Sequence, residues 1–388
     1  SVLKFMAFPT KMLRELVTKD PGFMLANLFR DSAQAYVTSG VNMIPVIDTF
    51  KQAAKILANQ SPEAKALRAA GIGTGHEFSG DTKANAKAVS DALNDKAGIK
   101  TGWQKALWPV TKVWDALEAG STASDLATRA EIYAKVMKST NGNEAEAVYQ
   151  ALEVMNFGRM GSRPIVQVMS ALVPFFNARV QGLDVLYRAG TGRLASASNK
   201  TQQKLFARRA MYIMGMSIAY WMLARDTEEW KRASKETRDN NWIIGNVKVP
   251  IPFEIGVIFK VLPERLLEYA FGDDTGADLA SAAGRHIIST LKINPIPQMA
   301  LPLVEAYSGV NYSFFTGNEV VGRGMEKLDP QFQLREGTTL VAKKMGDITG
   351  MSPIKIDHVL QGYTGTMGMY VASAISAMIR TQDDGERA

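Results

Sequence analysis

The 388-residue sequence contains no cysteine, which excludes disulfides, thiolate nucleophiles and cysteine-ligated metal sites. Histidine is scarce as well. His76, His286 and His358 lie far apart, and none belongs to a pair with the HExxH spacing that places two zinc ligands on one helix face. We therefore expect each histidine to be structural and no metal ion to be bound.

Two uncharged apolar runs are candidate membrane segments, but both are too short to span a bilayer. Met211–Ala224 and Met367–Ile379 are free of charge, but a helix needs roughly 20 apolar residues to span a bilayer. Small residues recur in both at four-residue steps, which allows close helix approach. A buried core helix is favoured for the first run. Helix contacts in an oligomer, or contact with lipid, are the alternatives for both.

Recognisable catalytic motifs are missing. The segment Gly71–Gly75 resembles a phosphate-binding loop, but His76 and Glu77 follow it where a P-loop requires Gly-Lys-Ser/Thr. There is no Gly-x-Ser-x-Gly elbow, and neither acidic pair, Asp273-Asp274 or Asp383-Asp384, is placed to face a second carboxylate across a cleft. We expect no enzymatic activity and no cofactor.

Helical periodicity dominates the sequence and predicts a mainly α fold. Apolar residues recur at three- and four-residue steps in Asp125–Lys138, with Ser124 as the predicted N-cap. Asn143 is the predicted cap of a second helix that ends at Phe157-Gly158, and the two form a predicted antiparallel helix hairpin. Further predicted helices are Lys11–Leu16, Pro21–Ser39, Ile47–Asn59, Pro62–Ala70, Thr82–Asp95 and Trp103–Ala119.

Trp242–Val249 departs from this pattern, because two short β-branched runs flank Gly245-Asn246 and predict a β-hairpin that ends at Pro250 or Pro252. Beyond residue 290 the sequence is rich in proline and glycine, which predicts irregular structure. We divide the chain into regions 1–120, 121–240 and 241–388. Its beginning, SVLKFMAFP, indicates a segment of a longer polypeptide.

Positive charge is concentrated in one part of the chain. The net charge is +7, and between residues 179 and 209 seven basic residues stand against Asp184 alone. Such a run is either a solvated helix face or a contact surface for a polyanion, DNA phosphate or anionic lipid headgroups. No base-reading motif accompanies it, so any DNA contact is expected to be non-specific. The candidate contacts are Arg179, Arg188, Arg193, Lys200, Lys204, Arg208 and Arg209.

Six short blocks, in this order along the chain, resemble the large polyvalent protein-associated domains of tailed bacteriophages. Together they cover about residues 20 to 370. The blocks are Asp20–Asp31, Asn156–Arg159, Val173–Asp184, Pro250–Gly256, Asn311–Gly317 and Gly362–Gly365.

Within these blocks Asn27, Arg30 and Asp31 share one helix face, and Asn177 and Gln181 share another. We interpret these polar residues as a buried network that holds helices in register; the alternative is a face that lines a channel. The residues that carry the resemblance, and to which we assign structural roles, are Asn27, Arg30, Asp31, Asn177, Gln181, Tyr312, Phe314, Phe315, Gly362, Tyr363, Thr364 and Gly365.

The resemblance implies an internal virion or ejection protein, packed in the capsid near the portal and delivered with the genome. Such a chain is expected to help form a DNA-translocation conduit in the host envelope or periplasm. Its expected partners are further copies of itself, other ejection and portal proteins, double-stranded DNA bound non-specifically, and the host inner membrane. Two alternatives remain: a packaging or docking module of a large virion protein such as a virion-packaged polymerase, and a membrane-inserting pore component.

Overall fold

The computed structural model describes residues 2–72, 103–153, 164–193, 199–251, 253–271, 296–313 and 319–385. Within these ranges the chain is mainly α-helical with one two-stranded sheet, which confirms the predicted fold class. The predicted helix Thr82–Asp95, the helix end at Phe157-Gly158, and His76 and His286 lie outside the described residues.

The described helices vary widely in length, and their bounds in chain order are as follows. They are α1 (Val2–Thr18), α2 (Pro21–Thr38), α3 (Ile47–Leu57), α4 (Pro62–Ala69), α5 (Trp103–Ser139), α6 (Glu144–Glu153), α7 (Pro164–Leu172), α8 (Phe176–Gly190), α9 (Asn199–Ala224), α10 (Glu228–Arg232), α11 (Lys235–Asn240), α12 (Phe253–Gly256), α13 (Leu262–Ala270), α14 (Leu301–Tyr307), α15 (Leu340–Thr349) and α16 (Pro353–Gly385). A π-helix at Val257–Val261 joins α12 to α13, and a 3₁₀ turn covers Pro330–Phe332.

Residue contacts divide the chain into two compact units, each made of separate stretches of sequence. Unit 1 comprises Ser1–Asp20, Gly161–Phe175 and Asn294–Ala388, and unit 2 comprises Pro21–Met160 and Phe176–Ile293. The three consecutive regions proposed from the sequence remain a prediction; the boundary at residue 120 falls inside α5.

The core of unit 2 is built around α5, which packs against α2, α3, α4 and α6. Leu126, Ala127 and Ala130 on α5 are fully buried, as are Ala147 and Ala151 on α6. Alanines at these positions let the helix axes approach closely, so that apolar surface is removed from water without gaps. The predicted helix hairpin is confirmed, and the Asn143 side chain accepts a hydrogen bond from the Glu146 N–H as its cap.

The predicted N-cap at Ser124 is wrong, because α5 runs without a break from Trp103 to Ser139. Ser124 lies inside it and donates a hydrogen bond to the Met24 carbonyl of α2 at 2.9 Å. A Cβ at Gly120 would lie 2.9 Å from the Met24 sulfur. The glycine and serine that resemble a helix boundary in the sequence instead permit a close crossing of two helices.

The second half of unit 2 is organised by α9, which packs against α2, α8, the π-helix and α13. Ala210 and Ile213 of α9 are buried with Val37, Leu186 and Phe259. The predicted β-hairpin is confirmed: Asn241–Ile244 (β1) pairs antiparallel with Val247–Pro250 (β2). Gly245 has a φ of 56°. Two-residue hairpin turns need a positive φ at their first position, which glycine adopts readily.

Unit 1 is a set of helices around α16, against which α1, α14 and α15 pack. The stretch from residue 308 to 339 has little regular structure within its described part, as predicted for the chain beyond residue 290. The helices α15 and α16 follow it, so the C-terminal end of the described chain is helical. Thr339 caps α15 through its hydroxyl, which also donates to Asp357 on α16.

A cluster of ionised side chains is buried in unit 2 beside the π-helix. The Lys260 ammonium donates to Glu264 at 2.7 Å and to the Arg238 carbonyl at 2.6 Å. Arg265 pairs with Asp239 at 2.6 Å and with Glu268. Burial raises the pKa of Glu264 to about 7, although the neighbouring Lys260 lowers it. Local spacing accounts for the Lys260–Glu264 and Arg265–Glu268 pairs, whereas tertiary packing buries them and adds Arg238 and Asp239.

The cluster predicts a pH dependence of stability. Because the pKa of Glu264 is higher in the folded chain than its ordinary 4.5, the folded state binds the proton more tightly. Its contribution to the free energy of unfolding is present below about pH 4.5 and is lost as the pH rises through about 7. We expect Glu264→Gln, which mimics the protonated acid, to flatten this fall when urea unfolding is measured from pH 4.5 to 8.

Glu228→Gln is the matched control, since Glu228 is exposed and pairs only loosely with Arg232 at 3.7 Å. It should leave the pH profile of unfolding unchanged. Identical profiles for Glu264→Gln and the unsubstituted chain would contradict the assignment.

Candidate nucleic-acid interface

Three of the candidate cations lie on one face of α9. Lys200, Lys204 and Arg208 follow each other at four-residue steps and are all exposed, so they form a single row about 12 Å long. Arg193, in the segment that precedes α9, is exposed as well. These four residues, which we call the basic row, are free to approach a polyanion from solvent.

The structure places the other three candidates differently. Arg188 on α8 pairs with Asp184 at 2.8 Å and with Glu153 on α6. Arg179 is half-buried on the same helix and has further interactions within the fold. These side chains, like that of Arg209, are used for internal contacts. The seven cations predicted as one contact surface therefore separate into an exposed set of four and an internal set of three.

Arg209 is buried and closes the C-terminal end of α2. Its guanidinium donates hydrogen bonds to the carbonyls of Tyr36 at 2.8 Å, Ser39 at 2.5 Å and Val41 at 2.7 Å. It also lies 4.9 Å from the centre of the Tyr36 ring. The last carbonyls of a helix lack partners within the helix, and the planar guanidinium with its five donors is well suited to supply several at once.

Two of the first three family-signature residues, Asn27 and Asp31, contact each other on α2, where Asp31 is buried and Asn27 is half-buried. Asn27 donates to Asp31 at 3.0 Å within α2, and Arg129 of α5 lies 3.7 Å from Asp125. Burial, reinforced by the charge of Asp125, raises the pKa of Asp31 well above its ordinary value, although Arg129 and Arg30 act in the opposite direction. Asp31 of α2 therefore interacts electrostatically with Asp125 and Arg129 of α5.

The second pair of signature residues lies on α8, where Gln181 is buried and Asn177 is half-buried. Both have interactions within the fold. In the irregular part of unit 1, Tyr312 forms an isolated β-bridge with Glu319. Phe314 and Phe315 lie outside the described residues.

The signature block Gly362–Gly365 forms a kink in α16 around which unit 1 packs. Gly365 has a φ of 64° and a ψ of −161°, a conformation that is essentially restricted to glycine. A Cβ at Gly365 would lie 3.0 Å from Val17, and one at Gly362 would lie 2.6 Å from Pro302. Tyr363 donates to the Met299 carbonyl at 2.6 Å. The block thus allows three segments of unit 1 to approach closely.

His358 is the one described histidine, and it lies in unit 1 with its Nε2 2.7 Å from Glu305 Oε2. Both side chains are largely buried. Within the described ranges no three His, Asp or Glu side chains are grouped so that they could hold a metal ion.

The apolar run Met211–Ala224 occupies the C-terminal half of α9 and has two different faces. Ile213, Ser217, Trp221 and Ala224 are buried, so the prediction of a core helix describes one face only. The opposite face is exposed: five large apolar side chains on it are between 58% and 80% exposed, namely Met211, Tyr212, Met216, Met222 and Leu223. Among the described residues, no helix is both long and apolar enough to cross a membrane.

The fold and these surfaces define a helical protein with a buried ionic cluster and an exposed row of cations on one helix. Residues 227–388 match the family model described as large polyvalent protein associated domain 38. The match confirms the family resemblance for this part of the chain, which includes the β-hairpin, the buried ionic cluster and the Gly362–Gly365 kink. It supports a phage-associated large polyvalent protein found with the virion. Neither curated proteins nor solved structures gave a significant match.

Arg208 and Arg209 are adjacent in sequence but have opposite environments, and this predicts opposite effects of substitution. Arg209→Gln removes donors from three carbonyls and should lower the free energy of unfolding by about 3 kcal/mol or more. Arg208→Gln removes an exposed cation and should change it by less than about 0.5 kcal/mol. Denaturant unfolding of both variants tests this, and equal effects would contradict the assignment of Arg209 to the end of α2.

The kink at Gly365 predicts that Gly365→Ala destabilises unit 1 by about 2 kcal/mol, because alanine is strained at this φ and its Cβ meets Val17. Gly324→Ala, in open space in the same unit, is the control and should have little effect. Hydrogen exchange of peptides from α1 and α16 is the measurement. Unchanged protection in Gly365→Ala would show that the kink is not required.

Proposed function

We propose that this protein is an internal virion or ejection protein of a tailed phage. In this role it is delivered with the genome and contributes, in several copies and with other ejection and portal proteins, to a conduit through which DNA crosses the host envelope. The family match supports the phage-associated class. The observation that carries the DNA contact is the exposure of the basic row, Arg193, Lys200, Lys204 and Arg208. The other three candidate cations make contacts within the fold.

The spacing of the basic row suits a duplex that slides. Successive cations on α9 are about 6 Å apart along the helix, and double-stranded DNA carries one negative charge per about 1.7 Å of its axis. A row of long, flexible side chains can therefore meet phosphates in any register. Contacts to phosphate position a protein on DNA without reading its sequence, which a conduit requires.

The mainly helical architecture also suits the proposed role. A protein that leaves a capsid through a narrow tail must re-form its structure afterwards, and folds rich in local helical contacts form quickly. The absence of cysteine means that no disulfide has to be made again. We assign no reaction or cofactor to this role; the chain acts by contact.

The proposal predicts a salt-dependent association with double-stranded DNA that depends on the basic row. In the variant Arg193→Gln, Lys200→Gln, Lys204→Gln, Arg208→Gln, the plot of log K against log salt concentration should become shallower. Each phosphate contact contributes about 0.9 to this slope, so the loss should be roughly 3 to 4. Fluorescence anisotropy with a duplex of arbitrary sequence, titrated from 50 to 300 mM salt, measures it.

The matched control is Lys51→Gln, Lys55→Gln, Lys65→Gln, Arg68→Gln. It removes the same charge from exposed positions of α3 and α4 in the same unit and should alter the slope much less. Equal slopes in the two variants would show that DNA binding depends on the net charge of the protein and not on the position of the basic row. Unchanged binding in the basic-row variant would remove the DNA contact from α9 and favour the docking-module alternative.

A further inference from the structure

The exposed face of α9 has two halves that continue one another. Lys200, Lys204 and Arg208 occupy its N-terminal half, and the five exposed apolar residues from Met211 to Leu223 occupy its C-terminal half. At 3.6 residues per turn, all eight side chains fall within an arc of about 160° on one side of the helix. The buried residues of α9, Ile213 and Trp221 among them, fall on the other side. One face is thus basic for about 12 Å and apolar for about 18 Å.

The small residues of the apolar half are exposed with it. Gly215 and Ala219 lie in the middle of the face, and a Cβ at Gly215 would meet nothing within 4 Å. Gly215 therefore leaves a shallow depression between the larger apolar side chains of this face. Flexible groups of a partner can fill this depression. Contiguous exposed apolar surface with a polar border is typical of a contact site.

Of the occupants that this face can take, only one uses both halves. DNA would pair with the cations but would gain nothing from Met216 or Leu223. A second copy packed on the apolar half would leave the row of cations without a counter-charge. A bilayer with anionic headgroups offers phosphates to Lys200, Lys204 and Arg208 and acyl chains to the residues that follow. Tyr212, near the start of the apolar half, carries a hydroxyl on an apolar ring and suits the headgroup boundary.

We propose that α9 is a membrane-docking helix that lies on an anionic phospholipid surface. Its cations contact headgroup phosphates, and its exposed apolar residues enter the outer part of the acyl layer. Helices of this kind bury their apolar face about 5–10 Å deep without crossing the bilayer, in keeping with the finding that no described helix is able to span. The proposal shares three cations with the DNA contact but does not rest on it.

The test is flotation of the 388-residue chain with vesicles, one set of phosphatidylcholine alone and one with about a third phosphatidylglycerol. The chain should float with the anionic vesicles and much less with the neutral ones. Lys200→Gln, Lys204→Gln, Arg208→Gln should weaken partitioning to anionic vesicles by about 100-fold, since each cation near such a surface contributes about 1 kcal/mol, or about fivefold.

The apolar half is tested by Met216→Gln, Met222→Gln, Leu223→Gln, which should lower vesicle partitioning at least tenfold and leave the salt slope of DNA binding unchanged. The matched control is Ile44→Gln, Ile47→Gln, Leu57→Gln, three exposed apolar residues elsewhere in unit 2, which should float normally. Circular dichroism verifies that each variant is folded.

Three results would overturn the membrane proposal without touching the proposed function. One is a chain that stays with the soluble fraction in both vesicle sets. Another is flotation that the control triple reduces as much as the α9 triple does. The third is an apolar triple that floats normally but changes from oligomer to monomer in analytical ultracentrifugation, since the apolar half would then be covered by a second copy. Failure of the proposed function would appear instead as a DNA salt slope that is indifferent to the basic row.

Discussion

The carbonyl groups at the C-terminal ends of helices impose the constraint on which much of this fold depends. In unit 2 the Arg209 guanidinium reaches from α9 to three carbonyls at the end of α2. In unit 1 Arg14 of α1 donates to the Ser170 and Val173 carbonyls at the end of α7, and Thr10 donates to the Leu172 carbonyl. Each contact removes an unsatisfied acceptor from the interior. Each also fixes the rotation of the donating helix about its axis.

That rotation determines which side chains meet solvent. Successive residues on a helix point about 100° apart, so directing Arg209 inward directs Arg208 outward, and with it Lys204 and Lys200. The same rotation of α9 about its axis buries Ile213 and Trp221 and exposes Met216 and Leu223. The exposure of the three α9 cations, Lys200, Lys204 and Arg208, and that of the apolar half of α9 therefore go together with the inward direction of Arg209. The two functions proposed for this helix depend on it equally.

Local patterns in the sequence predicted part of this structure. They failed where the structure depends on contacts between residues far apart in the sequence. The Asn143 cap and the Gly245-Asn246 turn were predicted because each is a property of a few neighbouring residues. Ser124 was misread because its partner, the Met24 carbonyl, lies 100 residues away. Arg208 and Arg209 are equivalent in the sequence, and only the position of the end of α2 distinguishes them. Lys260 and Glu264 pair at four-residue spacing, but their burial depends on packing against the segment of Arg238 and Asp239, which local spacing does not reveal.

The three cations on α9 are unfavourable for the helix that carries them. Lys200 stands in the first turn of α9, where the positive end of the helix dipole disfavours a cation, and that turn holds no acidic residue. Lys200, Lys204 and Arg208 are also like charges at four-residue spacing, each pair costing about 0.2–0.5 kcal/mol. Acidic or neutral residues at these exposed positions would make a more stable helix, so stability of the fold does not account for the row. Phosphate groups brought by a partner remove both penalties, and this holds whether the phosphates belong to DNA or to lipid. The apolar residues that follow on the same face are what distinguish the two, because only a bilayer lowers the free energy of both halves at once.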